Sequence, residues 1–388
     1  MSLKLPGNIA GSILKLLDNT MKVVQVLHEL KFSGAEIMYV DASPYFREKG
    51  CKLSVLATAP NLGEYSRYFE EAGYQVLHKP YPRGWNFASR ISYWIWFIRL
   101  LTREKYDVVH IHSHAIMWGM ALCAWIAGKR SVYTFHSVFT SHFYSYPYHL
   151  WQRWSAKKIF GCRFQSISHT VYEHELEHYH NKTWKIYNWY GYTRFFPAMN
   201  GEKKRNREEL GIPTDALVII SIGGCSFIKR HEDIIKALPL IAKQYPSVQY
   251  LHLGKGETEE AEKRLAAELG VDKNIRFCGN QTDIRKYLVA SDIYVMTSRH
   301  EGISITTIEA MACGIPSILY NVAGLRDFNM TGENSLLIPE EYGVLAEKII
   351  YLHQHSEVSA QLAARAKSMV NSTYHLKKNA EEIYQLYS

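Results

Sequence analysis

No run of roughly 18 uncharged apolar residues occurs in the 388-residue sequence, so no segment has the length of a membrane-crossing helix. The nearest approach, ISYWIWFIRLL at 91–101, is too short and carries Arg99. The six cysteines, Cys51, Cys123, Cys162, Cys225, Cys278 and Cys313, are widely spaced and form no CxxC pair, which suits reduced, buried thiols in a cytosolic protein. An Asp-x-Asp pair is also missing, and with it any sign of a carboxylate-held divalent ion. There is no low-complexity tract and no short-period repeat, and a charged fraction of 21% with scattered aromatics argues against disorder. Residues 1–20 hold an apolar stretch without a clean small-residue cleavage site, so they are expected to be an extension before Met21 rather than a secretory signal.

What is present is a chain 47% apolar and long enough for two cores. Its net charge of +8 is unevenly spread. Residues 1–200 carry 23 basic and 13 acidic residues, whereas 201–388 carry 22 and 24. The whole positive excess therefore lies in the first half, which suits an anionic partner such as a nucleic acid or an anionic membrane surface.

Both halves alternate short apolar runs with helical spacing, the pattern of βαβ units on a parallel sheet. Strands are predicted at 22–27, 52–57, 75–77, 108–111, 131–135 and 164–167, then at 217–222, 249–253, 275–277, 293–296 and 316–319. Several are apolar at nearly every position, as expected of strands covered on both faces. The polar stretch 197–207 (PAMNGEKKRNR) is the expected boundary. The fold class read from this is α/β with two Rossmann-like domains, 21–197 and 198–370, followed by a C-terminal segment, 371–388. Two such halves make the cleft between them the expected ligand site.

The most informative segment is Ser298–Pro316, SRHEGISITTIEAMACGIP, which follows a predicted strand and opens a helix. Gly302 permits close backbone approach, and the amides of Ile303, Ser304 and Ile305 fall at the helix start, where donors are unpaired and the dipole favours an anion. A diphosphate fits such a place. Glu309, further along the helix, can accept from a ribose diol, and Glu301 faces whatever hangs from the phosphate.

This string, with its EGxxxxxxEAMACGxP pattern, resembles the retaining glycosyltransferases of family 4, and the likeness extends over Met21–Ser388. The sequence FSGAE at 32–36 is similar to the family's first glycine loop, DVVHIH at 107–112 to its paired-histidine strand, and TFHS at 134–137 to the strand end with its active-site histidine. Residues 223–229 resemble the second domain's phosphate-binding loop, and 187–197 a divergent interdomain stretch with Trp189 in place of glycine. The resemblance implies a GT-B fold of two facing domains with a central cleft, and a C-terminal helix, 371–388, that crosses back to the N-terminal domain. It also implies a hexosyl transfer from a nucleoside-diphosphate sugar, most often a UDP-sugar, with retention of configuration. His136, Lys229 and Glu301 would be catalytic. Ser33, Gly34, Gly223, Arg230, Gly302, Ile303, Ser304, Ile305 and Glu309 would bind the donor. The usual arginine after the loop glycine is replaced by Gly224, so Arg230 either substitutes for it or the diphosphate is held with one fewer cation. No metal and no resident cofactor are expected, and nucleic acid is not an expected partner. The basic first half suits a saccharide or lipid-linked acceptor of bacterial surface polysaccharide assembly, reached from the cytoplasm at the inner face of the membrane. Other readings are a nucleotide-sugar epimerase on the same fold and a non-catalytic sugar-nucleotide scaffold.

Three further patterns compete for a role. His174-Glu175-Leu176-Glu177-His178 matches the HExxH zinc pattern, against which stands an accidental match on a polar helix. His110, His112 and His114 share one face of a strand end, where a metal is conceivable and simple packing is the alternative. Residues 79–105 interleave Trp85, Trp94, Trp96 and Phe97 with Arg83, Arg90, Arg99 and Arg103, which suits either a membrane interface or a core-facing Rossmann helix with a basic rim.

Overall fold

A computed structural model describes residues 20–82, 84, 87–138 and 143–388. The expected extension therefore lies outside the described residues except for Thr20, as do Arg83 and Trp85. The chain divides into two compact units. One holds the chain up to Ser166, with His174–Ile186 and Ala380–Ser388; the other holds Ile167–Glu173 and Tyr187–Asn379.

The first unit contains a seven-stranded sheet in the order β3-β2-β1-β4-β5-β6-β7. Its strands are β1 Met21–Leu27, β2 Cys51–Ala57, β3 Gln75–His78, β4 Val108–Ile111, β5 Arg130–Phe135, β6 Arg163–Ser166 and β7 Trp184–Lys185. All pairings are parallel. The second unit has six strands, all parallel, in the order β10-β9-β8-β11-β12-β13. These are β8 Val218–Ile222, β9 Gln249–Leu253, β10 Ile275–Gly279, β11 Ile293–Met296, β12 Ser317–Tyr320 and β13 Leu336–Ile338. Each sheet reverses its strand order once, between β1 and β4 and between β8 and β11, and the carboxyl ends at such a reversal are where α/β sheets bind ligands.

Strand burial follows from position. β4, β8, β11 and β12 are buried at every residue because helices cover both faces, so their sequences read as largely apolar runs, broken by His110, Ser221 and Ser317, rather than as alternation. The stretch 197–207 is not extended throughout. A helix starts at Glu202, where Arg285 makes an ion pair with Glu202, and Arg207 is buried against Asp292 at 2.8 Å.

Candidate functional site

In the second unit, the loop after β8 (Gly223–Arg230) and the loop after β11 (Thr297–Ser304) are tied together. Thr297 Oγ1 donates to the carbonyls of Lys229 and Arg230, each at 3.0 Å, and the Arg299 amide donates to Ile228 at 2.8 Å. Across this double loop the Lys229 ammonium lies 2.6 Å from Glu301 Oε1. Ser298 Oγ, fully buried at the end of β11, donates to the same oxygen at 2.6 Å. The Lys229 stem passes over Gly223, where an added Cβ would sit 3.2 Å from Lys229 Cε. On the other side of Glu301, Gly324 has φ +80°, and an added Cβ there would meet the Glu301 carbonyl at 2.2 Å. Both glycines thus let neighbouring chain close in on the charged pair.

Directly after Glu301 comes the helix Ile305–Ala312, capped by Ser304, whose Oγ accepts from the Thr307 amide at 3.3 Å. Thr306 Oγ1 donates to the Ile222 carbonyl at 3.1 Å, so the helix start is anchored to the end of β8. Gly302, Ile303 and Ser304 are buried here, at a helix end whose first amides have no intrahelical acceptor. Glu309 is buried one turn on, 3% exposed. The fold therefore brings Gly223, Lys229, Glu301 and the 302–305 amides to one sheet end. Arg230 is held elsewhere. It has φ +55°, its Nε lies 2.8 Å from Asp233, and its terminal nitrogens reach Glu340. With Gly224 carrying no side chain, Lys229 is the cation directed at Glu301. Ser298 is a site residue that sequence reasoning missed. Its only signal is its place at a strand end, three residues before Glu301.

In the first unit, Ser33 precedes the helix Gly34–Glu48 and its hydroxyl bonds to Glu36. Burial pushes the Glu36 carboxyl up to about 6, partly offset by the Ser33 bond. After β5, His136 Nε2 lies 2.9 Å from His112 Nδ1, at the end of β4. Burial lowers His136 to about 4 and holds His112 well below the usual imidazole value, with His110 and His136 adding repulsion to His112. Both rings are therefore neutral near pH 7, so one donates and the other accepts in the bond between them. His110 lies fully buried between Tyr387 OH and Thr134 Oγ1, 2.7 Å from each. Thr134 gives its own proton to Gln165 at 2.6 Å, so His110 Nε2 must donate and Nδ1 must accept. His110 is thus saturated by packing partners, whereas His112 Nε2 is buried without a hydrogen-bond partner.

The HExxH glutamate is likewise held by packing partners. Glu175 is 1% exposed and gripped by Arg153 through two 2.8 Å bonds, with Asn181 donating to it at 2.8 Å. Three of the roughly four acceptor positions of this buried carboxylate are thus taken by Arg153 and Asn181, which holds it in an ion pair within the protein. The helix Phe87–Arg103 buries Tyr93, Phe97 and Leu101 while Phe87, Ile91 and Ile95 stay exposed, at 65%, 38% and 45%. It therefore presents both a core-facing stripe and an apolar outer stripe. No helix among the described residues is long and apolar enough to cross a membrane.

Two family models, curated relatives and solved structures match this chain. The family model described as Glycosyltransferase Family 4 matches residues 32–221, and that described as Glycosyl transferases group 1 matches 202–369. The N-acetyl-alpha-D-glucosaminyl L-malate synthase of Bacillus anthracis is 24% identical over 362 residues, 88% of each chain. The lipopolysaccharide core biosynthesis glycosyltransferase LpsE of Rhizobium meliloti is 35% identical over 133 residues, 34% of this chain and 38% of the relative. Among solved structures, Anabaena HepE in complex with UDP superposes with a TM-score of 0.80 at 20% identity, covering 94% of this chain and 99% of that one. Two Rossmann-like units, a glutamate helix beside a loop lysine, and two family models that together run from 32 to 369 place the chain among the glycosyltransferases of family 4.

Proposed function

We propose that this glycosyltransferase moves a sugar from a nucleoside-diphosphate sugar, with UDP as the nucleotide, to an acceptor with retention of anomeric configuration. The observation that carries the reading is the Lys229–Glu301 pair beside the capped start of the helix Ile305–Ala312. Glycosyl transfer builds positive charge on the sugar and negative charge on the leaving phosphate. Helix-start amides and a lysine are suited to receive that phosphate charge, because they are fixed before reaction and lie in a partly buried place. Glu301, held by Ser298, is suited to sugar hydroxyls, Glu309 to the ribose, and neutral His136 to hydrogen bonding with the sugar. UDP is supported by the Anabaena structure, which contains it.

Glu309→Ala should weaken UDP binding by about 1–3 kcal/mol, the scale for losing a charged acceptor. Calorimetry on a variant that melts like the parent makes the test, and unchanged affinity would overturn the ribose assignment. Transfer should proceed at full rate with EDTA in the assay, since Lys229 and backbone amides supply the charge that a divalent ion supplies elsewhere. Complete loss of rate within minutes, restored by magnesium or manganese, would show the opposite.

For the acceptor we propose a lipid-linked saccharide, met at an anionic membrane surface from the cytoplasmic side. Two features favour it: the basic excess of residues 1–200, and the exposed apolar stripe of Phe87, Ile91 and Ile95 near exposed Arg99 and Arg103. Each basic side chain near such a surface adds about 1 kcal/mol, screened over roughly 8–10 Å. Co-sedimentation should therefore require anionic lipid and weaken in high salt. A protein that stays in the supernatant at every lipid composition would instead indicate a soluble acceptor.

A further inference from the structure

Beneath the loop that carries Lys229, three buried side chains from separate elements converge. Cys225 lies in the loop after β8, His252 in β9, and Glu262 in the helix Glu259–Glu268. Their exposures are 1%, 0% and 3%. One ligand atom from each lies within 4.8 Å of the other two. Cys225 Sγ is 3.8 Å from His252 Nε2, and His252 Nε2 is 3.1 Å from Glu262 Oε2.

These atoms are poorly satisfied by one another. Glu262 Oε1 accepts from Thr258 Oγ1 at 2.6 Å, whereas Oε2 meets the His252 ring nitrogen only as a 3.1 Å ion-pair contact without hydrogen-bond alignment. The sulfur contacts, to His252 Nε2 and to the Gly254 carbonyl, are weak ones. A buried carboxylate oxygen without an aligned hydrogen bond is costly. Around tetrahedral zinc, with bonds of about 2.3 Å to sulfur and about 2.0–2.1 Å to nitrogen or oxygen, neighbouring ligand atoms stand roughly 3.3–3.6 Å apart. The observed spacings bracket that value. The ligand set of thiolate, imidazole and carboxylate is also the mixed soft and borderline set that zinc takes, and calcium and magnesium do not.

We propose that Cys225, His252 and Glu262 hold a zinc ion that fastens the phosphate loop to the sheet. A water or the Gly254 carbonyl, whose oxygen is 3.7 Å from Cys225 Sγ, is placed to complete the set. The neighbourhood is already a clasp. The Cys225 amide donates to the Lys255 carbonyl at 3.2 Å, and the Gly254 backbone, at φ +138°, lies so close to Gly223 that an added Cβ would be 1.9 Å from the Gly223 carbonyl. The ion would lock this clasp two residues from Gly223 and four from Lys229. Its role is structural, so it stands apart from the leaving-phosphate chemistry and does not depend on the donor assignment. An enclosed ion exchanges slowly, and brief EDTA in an assay leaves it in place.

Elemental analysis of the full chain, expressed with added zinc and desalted through EDTA, should find about one zinc per chain. Cys225→Ser and Glu262→Gln should each lower this about tenfold or more. The chain has 18 histidines that can bind metal by accident, so the thiolate is the diagnostic ligand. Wild-type protein stripped by prolonged chelation and refilled with cobalt should show thiolate-to-cobalt charge-transfer absorption in the near ultraviolet. That reading needs no variant, and its loss in Cys225→Ser assigns the band among the six cysteines. Zinc kept equally by Cys225→Ser, or wild-type protein without co-purifying zinc and without a thiolate band after cobalt, would overturn the site and leave a buried His252–Glu262 ion pair.

Discussion

Replacing Lys229 with methionine should lower kcat by about 10²–10³-fold, the range seen when one fixed donor to a developing oxyanion is removed. The effect should fall on kcat more than on KM, because the phosphate gains its extra charge only as the glycosidic bond breaks. In the free protein the ammonium is 2.6 Å from Glu301 and 23% exposed, so donor phosphate can reach it. Loss of Lys229 also leaves Glu301, 13% exposed, with only Ser298 beside it, and an unbalanced carboxylate would repel an incoming diphosphate. The pair Lys229→Met with Glu301→Gln separates the two causes. If repulsion dominates, the double variant recovers donor affinity; if the missing cation dominates, kcat stays low in both. Steady-state rates with the best of a UDP-, GDP- and ADP-sugar screen decide it. A Lys229→Met protein with parental kcat would remove the lysine from the reaction.

The elements legible in the sequence are those with enough residues to show a pattern. Eleven strands could be placed, several of them because a strand covered on both faces is largely apolar along its length, and their ends agree with the structure to within two residues. Trp184–Lys185 and Leu336–Ile338 are too short to carry any period, and pairing rather than composition makes them strands. The candidate site residues could be named from the sequence, but not their contacts. Glu301 and Lys229 stand 72 positions apart, and only the parallel order β8-β11 sets their loops side by side. Arg230 shows the limit of adjacency. Next to Lys229 in sequence, it adopts a left-handed backbone conformation and pairs with Asp233 and Glu340. The cluster of Cys225, His252 and Glu262 has no sequence signature, since its spacings of 27 and 10 match no metal motif. HExxH has a signature but not the environment, because its glutamate is claimed from another helix.

That claim leads to the second large effect. Arg153→Leu should destabilise the first unit by about 3–5 kcal/mol, the cost of leaving one member of a buried ion pair without its partner. Arg153 is 2% exposed and Glu175 1%, and two parallel 2.8 Å bonds join them across the helices Tyr146–Lys158 and His169–Tyr179. The guanidinium also lies 3.6 Å over the Tyr179 ring, so the loss includes packing as well as charge. In the variant Glu175 would keep only Asn181 and would have to bury an uncompensated charge or take up a proton. Removing both partners, as Arg153→Leu with Glu175→Leu, should recover much of the loss, since a buried pair replaced by apolar side chains is often neutral. Urea unfolding of the parent, both single variants and the double gives the coupling between the two positions, expected at about 2 kcal/mol or more for groups in direct contact. The two units need not unfold together, so the transition is followed through a label on the first unit rather than through whole-chain signal. Arg153→Leu within about 0.5 kcal/mol of the parent would mean the pair contributes no more than an exposed one.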